Sequence, residues 1–406
     1  MKIVIMAWRN LWRNKKRTLI TAASLYFAVV FAIIMRSMQL GTYDIMIDGA
    51  VKSYSGYIQV QDSLYFEEKS FDDLMVYDSN LDSIITSTPN VISALPRLET
   101  FSLASTGKKT KGVIVQGIVP ETDDLMTGMS RHLQAGEFLS ADDRSILVSN
   151  RLASFLRVSV GDTVVLISQG YQGATAADQF PIKGIVKIPS PLLDNKLIVM
   201  PLALAQEFTN AYDLVTSVAV NIQEKQVMED VWGDLSEKLQ DTHLQVLRWT
   251  DMDKALKQQI ESDDASGVIM LAILYMVIFF GILGTIIMMT SERLREFGVM
   301  AAVGMHRSRM VVMMLLETVF IGLLGLVAGS ITAIPIIAYY LDHPIRLGGD
   351  MAEAYEIYGV EPVMAFSADP MIFVNQFITV LILMLITLIY PVLKLSKLNI
   401  INALRG

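Results

Sequence analysis

"SERLREFGVMAAVGMHRSRM", residues 291–310, decides how this chain is organised. It lies between two of the longest uncharged runs in the sequence and packs four arginines, two glutamates and two glycines into twenty residues. Leu294, Phe297, Val299 and Met300 supply apolar side chains, and Arg293, Arg295 and Glu296 polar ones, so the pattern predicts a short helix. Ser291 followed by Glu292 suits its start, where the helix dipole favours negative charge. Gly304 suits its stop, because glycine readily takes the left-handed conformation that ends many helices. A basic loop that only holds two helix ends on one side of a membrane would account for the arginines. It leaves the apolar face unexplained, and such a face ordinarily docks on something.

The flanking runs have membrane length. Residues 267–289 carry no charge; at about 1.5 Å per residue they cover about 35 Å, enough to cross a hydrocarbon core of about 30 Å with some tilt. Residues 311–340 carry a single charge, Glu317. A carboxylate at mid-membrane costs about 2.5 kcal/mol or more on insertion scales, so Glu317 is expected to pair with the nearby arginines, or else to transmit motion. The glycines of "GLVAG" (325–329) permit close helix packing. Two further apolar runs, 18–35 and 371–392, complete a set of four. A cleaved signal peptide is the rival reading of the first run, but no small-x-small site ends it and it reaches Arg36.

Composition agrees. The chain has 406 residues, 52% hydrophobic and 18% charged, with mean hydropathy +0.45; soluble domains carry about 25% charged residues, so this is a membrane protein with substantial polar parts. The net charge of −8 hides an asymmetry: 1–17, 291–310 and 393–406 together hold thirteen Lys/Arg against two Asp/Glu, whereas 41–265 holds eighteen against thirty-two. By the positive-inside rule the basic segments face the cytoplasm and the acidic ones face outward. The expected division is a cytoplasmic amphipathic helix at 1–17, spans at 18–40, 266–290, 311–340 and 370–392, and an extracytoplasmic domain at 41–265. The connector at 291–310, an outer loop at 341–369 and a cytoplasmic tail at 393–406 complete it.

The fold class that follows is an α-helical membrane protein whose large α+β domain stands outside, between the first and second spans. Within 41–265, alternating or β-branched runs predict strands at 55–61, 111–119, 162–168, 180–188 and 217–222, and helical patterns occupy 72–87, 149–158, 201–210 and 224–240. Two sub-regions are expected, one from 41–130 with 215–260 and an insertion near 131–210. "SQGYQGATAADQF" (168–180) reads as a long exposed hairpin tip, either a tolerated surface loop or an element that touches a partner.

Several chemistries are excluded. There is no cysteine, hence no disulfide, thiolate zinc site or cysteine nucleophile. His132, His243, His306 and His343 are scattered, without metal-binding spacing. No P-loop, GxSxG, HExxH or EF-hand pattern occurs, so ATP hydrolysis, if used, belongs to another chain. Nothing in the pattern suggests nucleic acid.

The connector resembles the signature of the MacB/FtsX-type ABC transporter permease superfamily, R-x-x-E-[IF]-G-x-x-x-A-x-G, written here as Arg293-Leu-Arg-Glu296-Phe297-Gly298-Val-Met-Ala-Ala302-Val-Gly304. "LLETVFIGLLGLVAG" (315–329) is similar to that family's third span, and "YPVLKLSKLNIINALRG" (390–406) to its ending. "RSILVSNRLASFLRVSVGDTVVLIS" (144–168) resembles its outer domain. The resemblance implies a permease subunit, not itself an enzyme, paired with a second permease (identical or different) and two cytoplasmic ABC ATPase copies. ATP and magnesium would sit on the ATPase, and this chain would bind no cofactor. It makes Arg293, Arg295, Glu296, Phe297, Gly298, Gly304, Arg307 and Arg309 the ATPase-coupling set, with Glu317 in transmission.

"AWRNLWRNKKR" (7–17) looks like the family's surface helix. Trp8 and Trp12 lie four apart on one face, with Arg9, Arg13 and Lys16 available to lipid headgroups, and a plain interfacial anchor is the other reading. The length, the single outer domain and the lack of a fused ATPase favour the lipoprotein-releasing (LolC/LolE-like) branch of a bacterial inner membrane. Cargo would then enter past Phe27, Phe31, Met35, Leu271, Tyr275 and Ile278. Gln169, Gly170, Tyr171, Gln172 and Gly173 would hook a periplasmic lipoprotein carrier. An FtsX-like signaller that controls a cell-wall hydrolase, and a MacB-like exporter working with an adaptor, are the alternatives.

Overall fold

The computed structural model describes residues 2–13, 15–357 and 362–396. The terminal Ala-Leu-Arg and the rest of 397–406, assigned to the cytoplasmic tail, lie outside the described residues. The chain forms two compact units: Met1–Tyr43, Ile260–Arg346 and Val363–Gly406 make one, and Asp44–Gln259 with Leu347–Pro362 the other.

The first unit holds four helices long and apolar enough to cross a membrane, Thr18–Ile47, Lys254–Glu292, Arg307–Asp342 and Pro370–Ser396. The first is preceded by an amphipathic helix, Lys2–Arg13. Helices one and two outrun the apolar stretches that mark them. Hydropathy reports bilayer thickness, whereas backbone hydrogen bonding continues until a residue such as Gly56, at φ 76, forces an end.

The first and third helices touch most closely where Gly325 and Gly329 lie four apart. A Cβ on Gly325 would sit 2.9 Å from the Ala22 carbonyl oxygen, and one on Gly329 2.8 Å from Val29 Cγ1. Small residues at this spacing let two backbones approach where lipid gives no hydrophobic drive between helices. Around that contact Leu25, Ile33, Ile282, Leu326, Val380 and Met384 form the helical core. Polar ties close the same unit near residue 40. Arg36 pairs with Asp264 at 2.5 Å, the Tyr43 hydroxyl donates to Asp263 Oδ2 at 2.6 Å, and the Ser37 hydroxyl donates to the Ser367 carbonyl at 2.7 Å.

In the second unit, a fifteen-residue strand, Val91–Ser105, serves two sub-regions at once. Its first half pairs antiparallel with Ser217–Ile222, which continues to Ile58–Asp62 and Leu244–Arg248. Helices Ser79–Thr86 and Met228–Leu239 supply Leu81, Ile85, Val231 and Leu235 to the core over that sheet. Its second half enters a ring that closes on itself through Thr110–Ile118, Leu197–Pro201, Ile146–Ser149, Thr175–Val186 and Thr163–Gln169. Closure removes exposed edges, and Val113, Val148, Leu166, Phe180 and Ile198 fill the interior. Where the two halves meet, Arg97 Nε donates to Asp123 Oδ2 at 2.7 Å, with both side chains buried.

The sequence pattern missed strands Val91–Ser105, Leu133–Gly136, Ile146–Ser149, Leu197–Pro201 and Leu244–Arg248, and the helix expected over 72–87 is only Ser79–Thr86, preceded by the short strand Met75–Val76. Those at Ile146–Ser149 and Leu197–Pro201 are buried on both faces and show no alternation.

Candidate functional site

The connector differs from expectation at its start. The second helix runs through Ser291 and Glu292, and the Ser291 hydroxyl donates to the Ile287 carbonyl at 2.9 Å instead of capping anything. The connector helix is Leu294–Ala302, with Arg293 at the N-cap position. Its far end is as the sequence suggests: Gly304 follows at φ 96, its N–H donating to the Ala301 carbonyl at 3.0 Å, and the third helix begins at Arg307.

The inward side of this helix is part of the protein's own core. Phe297 is fully buried among Ala7 of the N-terminal helix, Met310, Met313 and Met314 of the third helix, and Leu395 of the fourth. Arg293, only 8% exposed, donates from Nη1 to Glu317 Oε2 at 2.5 Å and from Nε to Glu296 Oε2 at 3.3 Å. The other Glu317 oxygen accepts from Asn10 Nδ2 at 2.9 Å, and Arg13 forms an ion pair with Glu296. Trp8 meets the Phe320 ring edge-on at a centroid distance of 5.5 Å. A carboxylate within an apolar helix is stable only if its charge and both oxygens are matched, and here two different elements do the matching. The N-terminal helix, the connector and the third helix are thereby fastened together.

Two readings change as a result. Arg293, Phe297 and Gly298 are buried within this chain, where they hold the connector in place. The helix carrying Trp8 and Trp12 is more than an interfacial anchor, because Asn10 and Arg13 reach the ion network; no sequence motif singled out Asn10. The exposed remainder of the coupling set is Arg295, Gly304, Arg307 and Arg309, with Val299 and Val303 beside them. Arg295, Val299 and Val303 recur every four residues, and Val303 is 85% exposed.

The other candidate residues scatter. Phe27 and Phe31 are 68% and 50% exposed on the first helix, Met35, Leu271 and Tyr275 are half-buried, and Ile278 is packed in the helical core and lines no surface. The 168–180 segment is not a long tip. Strand pairing continues to Gln169 opposite Thr175, leaving a turn at 170–174. A Cβ on the buried Gly170 would meet the Thr209 carbonyl oxygen at 2.6 Å, and the Gln172 N–H donates to Asp72 Oδ1 at 2.7 Å. Only Gln172 and Gly173 are fully exposed there, on a turn pinned at both flanks.

Four membrane-length helices, a β-rich domain inserted between the first two, and a short helix locked under the third define a membrane permease with a large soluble head. Residues 268–400 match the FtsX-like permease C-terminal family, and residues 18–237 match the MacB-like periplasmic core domain. The chain belongs to the MacB/FtsX-type superfamily of ABC transporter permeases. Members are permease subunits, not enzymes themselves, and membership brings with it an ABC ATPase partner and a dimeric pair of permeases. Among solved structures, the chain is similar to the periplasmic region of MacB from Actinobacillus actinomycetemcomitans, at 14% identity over 50% of this chain and 92% of that one, with TM-score 0.35. It is also similar to the extracellular domain of the noncanonic ABC-type transporter YknZ from Gram-positive bacteria, at 12% identity over 47% and 99% of the two chains, with TM-score 0.34.

Proposed function

We propose that this permease works by mechanotransmission. An ATPase in the cytoplasm, holding ATP and magnesium, pushes on the exposed Arg295, Val299, Val303, Arg307 and Arg309 side of the connector, and the helices carry the motion to the outer domain. One observation carries this reading: the buried Arg293–Glu317 pair makes the connector and the third helix a single mechanical element. The basic excess at both ends of the chain and in the connector supports a bacterial inner-membrane orientation with those segments inside.

Lipoprotein is the proposed cargo, drawn from the membrane past the exposed aromatic side chains Phe27 and Phe31 and given to a periplasmic carrier that meets the Gln172–Gly173 turn. Purification of the assembled complex followed by mass spectrometry tests the cargo. Acylated proteins with a soluble carrier support it; a cell-wall hydrolase would replace it by an FtsX-like signalling role, and an adaptor by a MacB-like export role. Charge reversal at Arg295 and Arg309 tests the coupling surface. Undiminished ATPase association in that variant would refute it.

A further inference from the structure

The ring of the outer domain has no direct chain connection to a span. The other sub-region has two. Ile58–Asp62 follows the first helix across the short segment Asp48–Ser55, and Leu244–Arg248 leads within a few residues into the second helix at Lys254. The ring is entered through Val91–Ser105 and left before Ser217–Ile222, so it hangs from the first sub-region and shares one strand with it. Motion carried by the first two helices alone would reach the ring second-hand.

The loop between the third and fourth helices offers another path. At its base Ile345 and Arg346 pair with Met364 and Val363, and the Leu347 N–H donates to the Pro362 carbonyl at 2.9 Å. The chain just beyond this neck is fixed to the helices. The Phe366 ring stacks on Tyr340 at a centroid distance of 5.1 Å, and the Ser367 N–H donates to the Ser37 carbonyl at 2.9 Å. A Cβ on Gly41 of the first helix would stand 2.4 Å from the Phe366 carbonyl carbon, so the two backbones touch. On the other side of the neck, residues 347–362 belong to the outer-domain unit. There a helix, Asp350–Ile357, packs on the short helix Pro191–Asp194.

Pro191–Asp194 is built into the ring. It lies in the chain between the ring strands Thr175–Val186 and Leu197–Pro201. The Asp194 carboxylate, 1% exposed, accepts from the backbone N–H groups of Ile188, Asn150 and Arg151 at 3.0, 3.1 and 3.3 Å. Three donors on one buried carboxylate hold this helix to the ends of two further ring strands. Between the neck and Asp350–Ile357 stand Gly348 and Gly349, the latter at φ 62, and a Cβ on either would meet nothing within 4 Å. Such a joint bends freely and transmits pull, not push.

We propose that residues 347–362 form a strap by which displacement of the third helix tilts the ring against the first sub-region. The strap deepens the mechanotransmission proposed above and depends on it. Because Arg293 and Glu317 lock the connector to the third helix, the path runs from connector to third helix, neck, Asp350–Ile357 and Pro191–Asp194.

The test is spin-label distance measurement on the complex with its ATPase, with and without ATP, using one labelled chain per complex. The chain has no cysteine, so label pairs can be placed at the exposed positions Leu103→Cys on the ring, Asp234→Cys on the first sub-region and Val277→Cys on the second helix. ATP is expected to change both the 234–277 and the 103–234 distances. Replacing Asp350–Ile357 by a Gly/Ser segment of equal length should leave the first change and abolish the second. A 103–234 distance that stays constant in the unaltered chain, or still changes in the replaced one, overturns the strap while the 234–277 change upholds the mechanotransmission. A constant 234–277 distance overturns both. If the replaced chain does not assemble, the distance from Met351→Cys to Leu103→Cys decides: it should stay fixed while 103–234 changes, and a shift in it refutes the strap.

Discussion

Glu317→Gln removes one charge from the centre of the connector assembly while keeping the side-chain shape. Both carboxylate oxygens are engaged, one by Arg293 at 2.5 Å and the other by Asn10 at 2.9 Å. The Arg293 and Glu317 side chains are 10% and 4% exposed, so the guanidinium cannot regain water when its partner becomes neutral. Its remaining carboxylate, Glu296 at 3.3 Å, is shared with Arg13. Breaking one side of a buried pair costs about 3–5 kcal/mol, and Glu296 sets the expectation at the low end, about 3 kcal/mol. At roughly 2–4 °C per kcal/mol, the thermal midpoint of the purified chain in mild detergent should fall by about 6–12 °C. Arg293→Leu and Glu317→Leu should each cost a similar amount, and the two together should regain most of it, because no buried charge is then stranded. If the double variant is stable but stimulates its ATPase poorly, the pair couples motion as well as holding the fold. The reasoning is refuted if the single costs simply add, with an interaction energy below about 0.5 kcal/mol.

The two sides of the connector should separate under mutation. Phe297→Ala empties a fully buried site and should cost about 3–5 kcal/mol, whereas Val303→Ala should stay within about 0.5 kcal/mol; ATPase capture from a mixture should rank the two variants the other way round. Gly329→Ala places a methyl 2.8 Å from Val29 Cγ1 and should lower the thermal midpoint, while Gly281→Ala meets nothing within 4 Å and should leave it unchanged or raised. In the outer domain, burial pushes the Asp251 carboxyl up, but the Arg248 side chain at 3.1 Å and its backbone N–H outweigh this and hold it below its ordinary value of 3.8. A depressed folded pKa gives stability that is present above the unfolded value and lost as pH falls through the folded one. Asp251→Asn should therefore flatten acid unfolding below about pH 4, followed by fluorescence of Trp249 and of Trp232, whose ring lies 4.4 Å from the Arg248 guanidinium.

What could be read from the sequence follows from how far each signal reaches along the chain. Spans were legible because about twenty consecutive apolar residues match the thickness of a bilayer and little else in a folded chain. Strands with one wet face, such as Thr163–Gln169, were legible through alternation, and doubly buried ones such as Leu197–Pro201 were not. Two sub-regions were expected in the outer domain, but not their bounds: Thr110–Ile118 and the second half of Val91–Ser105 join the ring, since pairing on two sides leaves no local mark. The 168–180 segment misleads for the opposite reason. Small residues and glycines look like a loop, yet "TAADQ" (175–179) pairs residue by residue with Val165–Gln169, with Ala176 buried and Ala177 exposed.

The connector shows why a family signature and a contact surface are different things. Its apolar face was expected to dock because a basic loop alone leaves such a face unexplained. Folding answers that demand internally: Ala7, Met310, Met313 and Leu395 cover the ring before any partner arrives. Arg293 and Glu296 of the same signature are likewise occupied, by Glu317 and Arg13. The connector's exposed stripe, Arg295, Val299 and Val303, falls on variable positions of the written signature, whereas of its fixed positions Arg293, Phe297 and Gly298 are buried. The signature thus describes how the connector is held. A lever needs that holding, because a helix free to slide over the third span would absorb a push without moving anything. On the proposed coupling, the buried residues are therefore the ones that would make a push effective.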